Sequence, residues 1–239
     1  MDPQASLTQA FIGPDAMRAL SPRESIAALF GGDLVSSASK LIRPTTFERI
    51  SLVPGSIHLT RFNVPEPELA DRDDQRALAE FVAEVGDGFD FILVDVPPNL
   101  HLCSWAALVA SDFLIVPLQA EDFGSQGISA VLDSVEAVQG RMNPRLRLLG
   151  YLLTMHNARL AIHKTYEETL RRMYGADVFE TAIPFAADMK EAVSLRLPIA
   201  AHKPKGASAK AVLSLAGEID NRLACMMQDR PEHLVAEVA

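Results

Sequence analysis

The segment Phe89–Leu100, reading Phe-Asp-Phe-Ile-Leu-Val-Asp-Val-Pro-Pro-Asn-Leu, constrains the fold more than any other part of the chain. A short apolar run ends in Asp95 and is followed at once by Pro97-Pro98. Such a run predicts a buried strand over Phe91–Asp95, because a strand covered on both faces shows no polar alternation. A carboxylate at the exit of a buried parallel strand stands at the sheet edge where open α/β proteins bind ligands. From there Asp95 can hold Mg²⁺ through water, while the two prolines fix a rigid turn able to report on a phosphate. Asp95 also fits the plainer role of capping the following helix. A glycine-rich phosphate loop would normally accompany such a site, but none of the six lysines of this sequence follows a glycine.

From the middle of the chain onward, apolar strands alternate with amphipathic helices, the pattern of a mostly parallel sheet with helices on both faces. After Phe91–Asp95 come a helix over Trp105–Ala110 and a strand over Phe113–Pro117. Ile128, Val131, Leu132, Val135 and Val138 then recur at helical spacing. Asn143-Pro144 breaks that helix, Leu146–Thr154 reads as a long strand, and a charged helix runs through Tyr166, Leu170 and Met173 to a stop at Gly175. Val178–Ile183 is expected to be a further strand and Ser208–Met227 a closing helix. Before residue 90 the pattern is less regular, with short helices over Asp15–Leu20 and Pro22–Leu29, a strand over Ile50–Val53, and a helix over Asp73–Val85 that turns Leu78, Phe81, Val82 and Val85 inward. Right-handed crossovers gather the C-terminal ends of the later strands, and with them Asp95, Gln119, Thr154 and Pro184, along one edge.

No linker or change of composition divides the 239 residues, so a single α/β domain is expected over residues 1–239. Apolar residues form 49% of the chain, enough for a substantial core. A net charge of −9 disfavours constitutive nucleic-acid binding and leaves room only for a local basic patch. No signal-peptide pattern opens the chain, and no apolar run approaches the ~20 residues that cross a bilayer. The stretch from Gln228 to Ala239 carries Asp229, Glu232 and Glu237 against Arg230 alone, the wrong balance for anionic lipid. A cytoplasmic protein without a membrane role is the resulting expectation. Cys103 and Cys225 are too far apart in sequence for a thiolate metal site and are expected to be buried, reduced thiols. His101, His156, His163, His202 and His233 show no ligand spacing, and no nucleophile motif occurs.

Taken in order, Phe89–Leu100, Ala107–Asp112, Ile115–Gln119, Leu149–Met155, Val178–Pro184, Glu191-Ala192 and Ala207–Ile219 resemble the ParA/MinD/Soj family of deviant Walker partition ATPases. The similarity covers essentially the whole chain. Met1-Asp2-Pro3-Gln4 resembles the end of that family's second strand, where the second aspartate of an Asp-x-Asp-Pro-Gln segment positions the attacking water. The resemblance therefore implies that Asp2 is catalytic and that the domain is P-loop NTPase-like but N-terminally incomplete, lacking the first strand, the P-loop with its lysines and the helix after it. It also implies ATP and Mg²⁺ as cofactors, with Asp95 on the metal and Thr154, Met155, Pro184 and Phe185 lining the adenine pocket; strand-end and loop packing is the plainer reading of those four.

As partners, the resemblance implies a homodimer in the ATP form, non-specific DNA with possible nucleoid association, and a ParB-like centromere-binding protein that triggers hydrolysis. The family often has DNA-binding arginines just after Ile-Pro, where this chain has Phe185-Ala186-Ala187-Asp188. Arg159, Arg196, Lys203, Lys205 and Lys210 would then supply a basic strip, or simply a solvated face. Two readings follow from the missing phosphate loop: an ATPase of plasmid or chromosome partition in its complete form, inactive as residues 1–239, or a catalytically inactive, truncated ParA-like interaction protein. A MinD-like membrane-site regulator is disfavoured by the acidic tail.

Overall fold

The computed structural model describes residues 1–32, 38–120 and 125–228. The acidic stretch beyond residue 228, including His233, lies outside them. Contacts gather into two compact units, one formed by Met1–Asp112 with Gly124–Leu146 and the other by Phe113–Phe123 with Arg147–Ala239.

The first unit is mainly helical. It contains α1 (Ser6–Ile12), α2 (Pro14–Arg18), a two-residue antiparallel pair of β1 (Arg43–Pro44) and β2 (Ser51–Leu52), α3 (Arg72–Val85), α4 (Leu102–Ala110) and α5 (Ser125–Arg141). Pro22–Leu29 is helical only as two short 3₁₀ pieces. Asp71 caps α3 by accepting a hydrogen bond from the Asp73 amide at 2.9 Å. One face of α3 buries Leu78 and Phe81 in a core with Phe30, Leu41, Leu59, Cys103 and Ala106, and Val82 and Val85 pack at its margin. Trp105 lies almost fully inside, and its indole N–H donates to Gln75 Oε1 at 3.0 Å, which satisfies two buried polar groups at once. In α5, Ile128, Val135 and Val138 are buried as the spacing predicts, whereas Leu132 is exposed.

The second unit holds the parallel pair β3 (Phe113–Gln119) and β4 (Arg147–Thr154). It also holds α6 (Ala161–Tyr174), α7 (Ala187–Leu195), the short α8 (Ile199–His202) and α9 (Ala207–Gln228). The register slips by one between Leu114 and Ile115, so that Leu148 and Gly150, not Leu149, oppose them. Strict alternation would send Leu149 and Leu152 to opposite faces, but the slip lets both join one cluster with Phe179 and, from α9, Leu215, Ile219 and Leu223. Gly150 sits beside this irregularity with φ +154, and a β-carbon there would lie 2.5 Å from the Asp177 carbonyl oxygen, so only glycine fits.

The α/β architecture with a parallel sheet is thus present, and two of its expected strands differ from expectation. Phe91–Asp95 joins no strand pair among the described residues and is not buried: Phe91, Ile92 and Leu93 are 62%, 42% and 89% exposed. An apolar run becomes a buried strand only when neighbours supply ladder partners and cover, and this segment's own unit supplies neither. Val178–Ile183 forms no continuous ladder with β4: an isolated parallel bridge joins Val178 to Tyr151, the Phe179 amide donates to the Tyr151 carbonyl at 2.9 Å and the Ile183 amide to the Leu153 carbonyl at 2.8 Å, and a second bridge, His156 to Pro184, lies just beyond. Side chains replace the missing ladder there. Arg222 of α9 donates to the carbonyls of Leu149 at 3.1 Å and Val178 at 2.9 Å, and its guanidinium lies 4.2 Å from the Phe179 ring centroid. Glu218 accepts from the amides of Glu180 at 2.8 Å and Thr181 at 2.9 Å. Arg171 of α6 reaches the carbonyls of Phe179 and Glu180 from its own helix.

Candidate functional site

Two groups of candidate residues emerge, one in each unit. In the first, Asp2 occupies a turn rather than a strand end: its Oδ1 accepts from the Gln4 amide at 2.8 Å and its carbonyl from the Ala5 amide at 3.0 Å. The turn leads into α1, whose Thr8 hydroxyl accepts from the Gly55 amide at 2.8 Å and ties the start of the chain to residues 54–56. That stretch is itself held by a buried Ser25–Ser56 hydroxyl pair at 2.7 Å.

Asp95 follows Val94, which packs at the margin of the same core, and precedes a buried Pro97. The turn beyond is pinned from two sides. The Ser104 hydroxyl donates to the carbonyl of Asn99 at 2.6 Å and contacts that of Pro97 at 3.3 Å. Asn63 receives the Cys103 amide on its side-chain oxygen and donates to Asn99 Oδ1, each at 3.3 Å. Sequence reasoning missed Asn63 and Ser104; a serine early in a helix that follows Pro-Pro-Asn is the one local signal for the second, and nothing local marks the first.

Asp2 and Asp95, far apart in sequence, share one electrostatic neighbourhood. The Asp95 carboxyl is held above the ordinary carboxylate range, first by loss of hydration, against the pull of the Met1 amino group, and with a further upward push from the Asp2 charge. Burial also pushes the Cys103 thiol up to about 11, which makes it an inert core thiol. Cys225, by contrast, is exposed, contrary to expectation, because α9 packs through Leu215, Ile219, Leu223 and Met226 and not through Cys225. Among the described residues no group of three or more His, Cys, Asp or Glu side chains could hold a metal ion by itself. The donor set at Asp95 fits Mg²⁺ nonetheless, since this ion keeps several waters and takes one or two carboxylates together with substrate phosphates.

In the second unit, Gln119 and Thr154 are register partners at the C-terminal ends of β3 and β4, and the Thr154 hydroxyl donates to the Leu118 carbonyl at 3.2 Å. Met155 takes the left-handed conformation, φ +51, and turns the chain so that the His156 amide donates to Ile183 O and the Phe185 amide to His156 O, both at 3.0 Å. Thr154, Met155, Pro184 and Phe185 are thereby brought together, with Met155 and Phe185 about half exposed. The buried His156 Nε2 lies 3.2 Å from Glu167 Oε2 but out of hydrogen-bond alignment. Of the cations proposed for DNA, Lys203 is held by Glu191, whose hydrogen bond raises the Lys203 pKa. Arg159, Arg196, Lys205 and Lys210 are exposed and make no ion pair among the described residues. No helix among the described residues is long and apolar enough to cross a membrane.

Comparison with known proteins adds four findings. Residues 1–148 match the model of the AAA_31 family, described as an AAA domain. An uncharacterized protein of Pseudomonas putida is 33% identical over 72% of this chain, which spans 64% of that relative's length. The chromosome-partitioning ATPase Soj of Treponema pallidum is 33% identical over 76% of this chain and 71% of its own. Among solved structures, cobyrinic acid a,c-diamide synthase from Mycobacterium smegmatis, with bound ADP and magnesium, is 28% identical with a TM-score of 0.65, covering 82% of this chain and 76% of the other.

Proposed function

Since the chain belongs to the AAA_31 family of ParA and Soj partition ATPases, we propose that it carries the metal and water-positioning part of an ATP-hydrolysing partition protein. The observation that carries this reading is the neighbourhood of Asp2 and Asp95, in which the Asp2 charge adds to the upward push that loss of hydration gives the Asp95 carboxyl. Phosphoryl transfer asks a protein mostly for positioning and charge neutralisation. Mg²⁺, when bound, neutralises the β- and γ-phosphate charge. Asp95 would hold that ion through water, its raised proton affinity falling once a cation stands beside it. Asp2, fixed by its turn, would orient the attacking water. Thr154, Met155, Pro184 and Phe185 would receive the base, with Phe185 offering a ring face. Arg159, Arg196, Lys205 and Lys210 would meet DNA phosphates in an ATP-dependent homodimer, and a ParB-like protein would stimulate turnover.

A second reading rests on the absence of any Gly-Lys pair from residues 1–239: the phosphate contacts of the family are not among these residues, and the chain as it stands acts through protein contacts alone. Titration with a fluorescent ATP analogue addresses this directly. Residues 1–239 should show no micromolar, magnesium-dependent affinity, and observing it would contradict the assignment of the phosphate contacts to other residues. In a gene product that does supply a phosphate loop, Asp2→Ala should retain ATP yet lose turnover, whereas Asp95→Ala should weaken magnesium-dependent binding as well. Unimpaired hydrolysis by both variants would remove both assignments.

A further inference from the structure

Helix α4 begins without a cap of its own. Its N-cap residue is His101, whose side chain receives none of the first amides, and the helix itself offers these amides no acceptor. They are satisfied from far upstream. The Leu102 amide donates to the Val64 carbonyl at 3.0 Å, and the Cys103 amide to Oδ1 of Asn63, 40 positions earlier, at 3.3 Å. The segment that supplies these acceptors is anchored in turn: Leu59 is fully buried, Phe62 stacks on Phe30 with ring centroids 5.5 Å apart, and the Asn63 amide donates to the Leu59 carbonyl at 3.0 Å. The other side of the Asn63 carboxamide meets the turn before α4. Its Nδ2 donates to Asn99 Oδ1 at 3.3 Å, and the same Asn99 oxygen accepts the His101 amide at 3.4 Å. His101 Nδ1 donates to the Asn63 carbonyl at 3.2 Å. Turning the Asn63 carboxamide over would set its NH₂ against the Cys103 N–H, so these partners fix its orientation.

We propose that Asn63 is the positioning residue of the turn that follows Asp95: its oxygen caps α4 in trans and its NH₂ holds Asn99, so that one side chain sets both the Pro97–Asn99 turn and the start of the helix. All the residues involved belong to the first unit. That the turn serves a nucleotide site rests on the functional reading given above, whereas the capping does not. An asparagine suits the position because its carboxamide carries an acceptor and a donor side by side. Aspartate would keep the acceptor and lose the donor, and alanine would lose both. The two contacts can therefore be broken separately.

Amide hydrogen exchange of residues 1–239 without nucleotide, resolved residue by residue in NMR spectra, tests the proposal with Asn63→Ala and Asn63→Asp. In Asn63→Ala the Cys103 and His101 amides should both exchange about fivefold faster or more, the weight of one hydrogen bond. In Asn63→Asp the Cys103 amide should keep its wild-type rate, since a carboxylate caps a helix as well as a carboxamide does, while His101 should exchange as fast as in Asn63→Ala. The Val138 amide, in α5 of the same unit, should keep its rate in both variants. A rise at Val138 equal to that at Cys103 would reveal a general loss of stability and overturn the proposal. So would an unchanged Cys103 rate in Asn63→Ala, an unchanged His101 rate in either variant, or a Cys103 rate in Asn63→Asp that rises together with that of His101. Failure of the functional reading would show elsewhere, as unimpaired magnesium-dependent binding by Asp95→Ala in a gene product that supplies a phosphate loop, and would leave these exchange rates as they are.

Discussion

Phe91–Val94 and Leu148–Leu153 are apolar runs of similar character, yet they end up in opposite circumstances. The second lies in β4: it pairs with β3 along its length apart from the slip at Leu149, and Leu149, Tyr151 and Leu153 are almost wholly buried. The first has no pairing within its unit and presents Phe91 and Leu93 to solvent. What separates them is supply of partners. A strand's burial is a property of its neighbours, so similar local propensity gives a buried strand in one unit and an exposed apolar run in the other.

The comparison is broken most directly by truncation. Leu153→Ala should cost about 2–5 kcal/mol in a denaturant titration, as a fully buried leucine in a paired strand does, while Leu93→Ala should change stability by no more than about 0.5 kcal/mol. Equal losses would mean that Leu93 is covered in solution. Gly150→Ala probes the irregularity that β4 tolerates. With the Asp177 carbonyl oxygen 2.5 Å from the new β-carbon, it should cost about 1–3 kcal/mol by overpacking, read from the shift in thermal midpoint.

The side-chain substitute for a ladder gives a third, smaller effect. Glu218→Ala strands two amides and should cost about 1–3 kcal/mol. The wild-type contribution is pH-dependent: burial raises the Glu218 carboxyl, but the amides of Thr181 and Glu180 and the Arg222 guanidinium outweigh it and leave the pKa below normal. A carboxyl depressed on folding stabilises above its unfolded pKa and loses that contribution as pH falls through its folded value. The penalty of Glu218→Ala should therefore shrink in acid. Asp95 runs the other way. Its folded pKa is raised, so the native state favours the protonated form and the carboxylate opposes folding as pH rises past the unfolded value. Asp95→Asn should give a slight gain in thermal midpoint at neutral pH that vanishes in acid. A loss of stability would show that desolvation does not govern this carboxylate.

The sequence was informative where periodicity is self-sufficient. The helices over Arg72–Val85, Leu102–Ala110, Ser125–Arg141, Ala161–Tyr174 and Ala207–Gln228 and the strands β3 and β4 fall within a few residues of the expected bounds, because an amphipathic stripe or a long apolar run encodes its own geometry. Phe91–Asp95 shows the limit: its apolar run reads as a buried strand, and nothing local says whether a neighbour will pair with it. Val178–Ile183 has strand-like composition, but its backbone is satisfied chiefly by Arg222, Glu218 and Arg171, side chains remote in sequence that no local pattern links to it. At the candidate site, Asp95 is legible from its position after the apolar run, whereas Asp2 stands out only through family resemblance, because an aspartate in a turn carries no local signal of chemistry.

The Arg222 guanidinium bridges the carbonyls of Leu149 and Val178, and this makes the last helix a splint for the stretch that follows Val178. Residues 178–181 are fastened to α9, and the same stretch runs on through Ile183, whose amide donates to the Leu153 carbonyl, and Pro184 to Phe185, whose amide donates to the His156 carbonyl. The position of the exposed Phe185 ring therefore depends on bonds made by α9 as well as on those made by β4. Loss of the Arg222 side chain would release the carbonyls of Leu149 and Val178 together, so β4 and the stretch leading to Phe185 share one fastening.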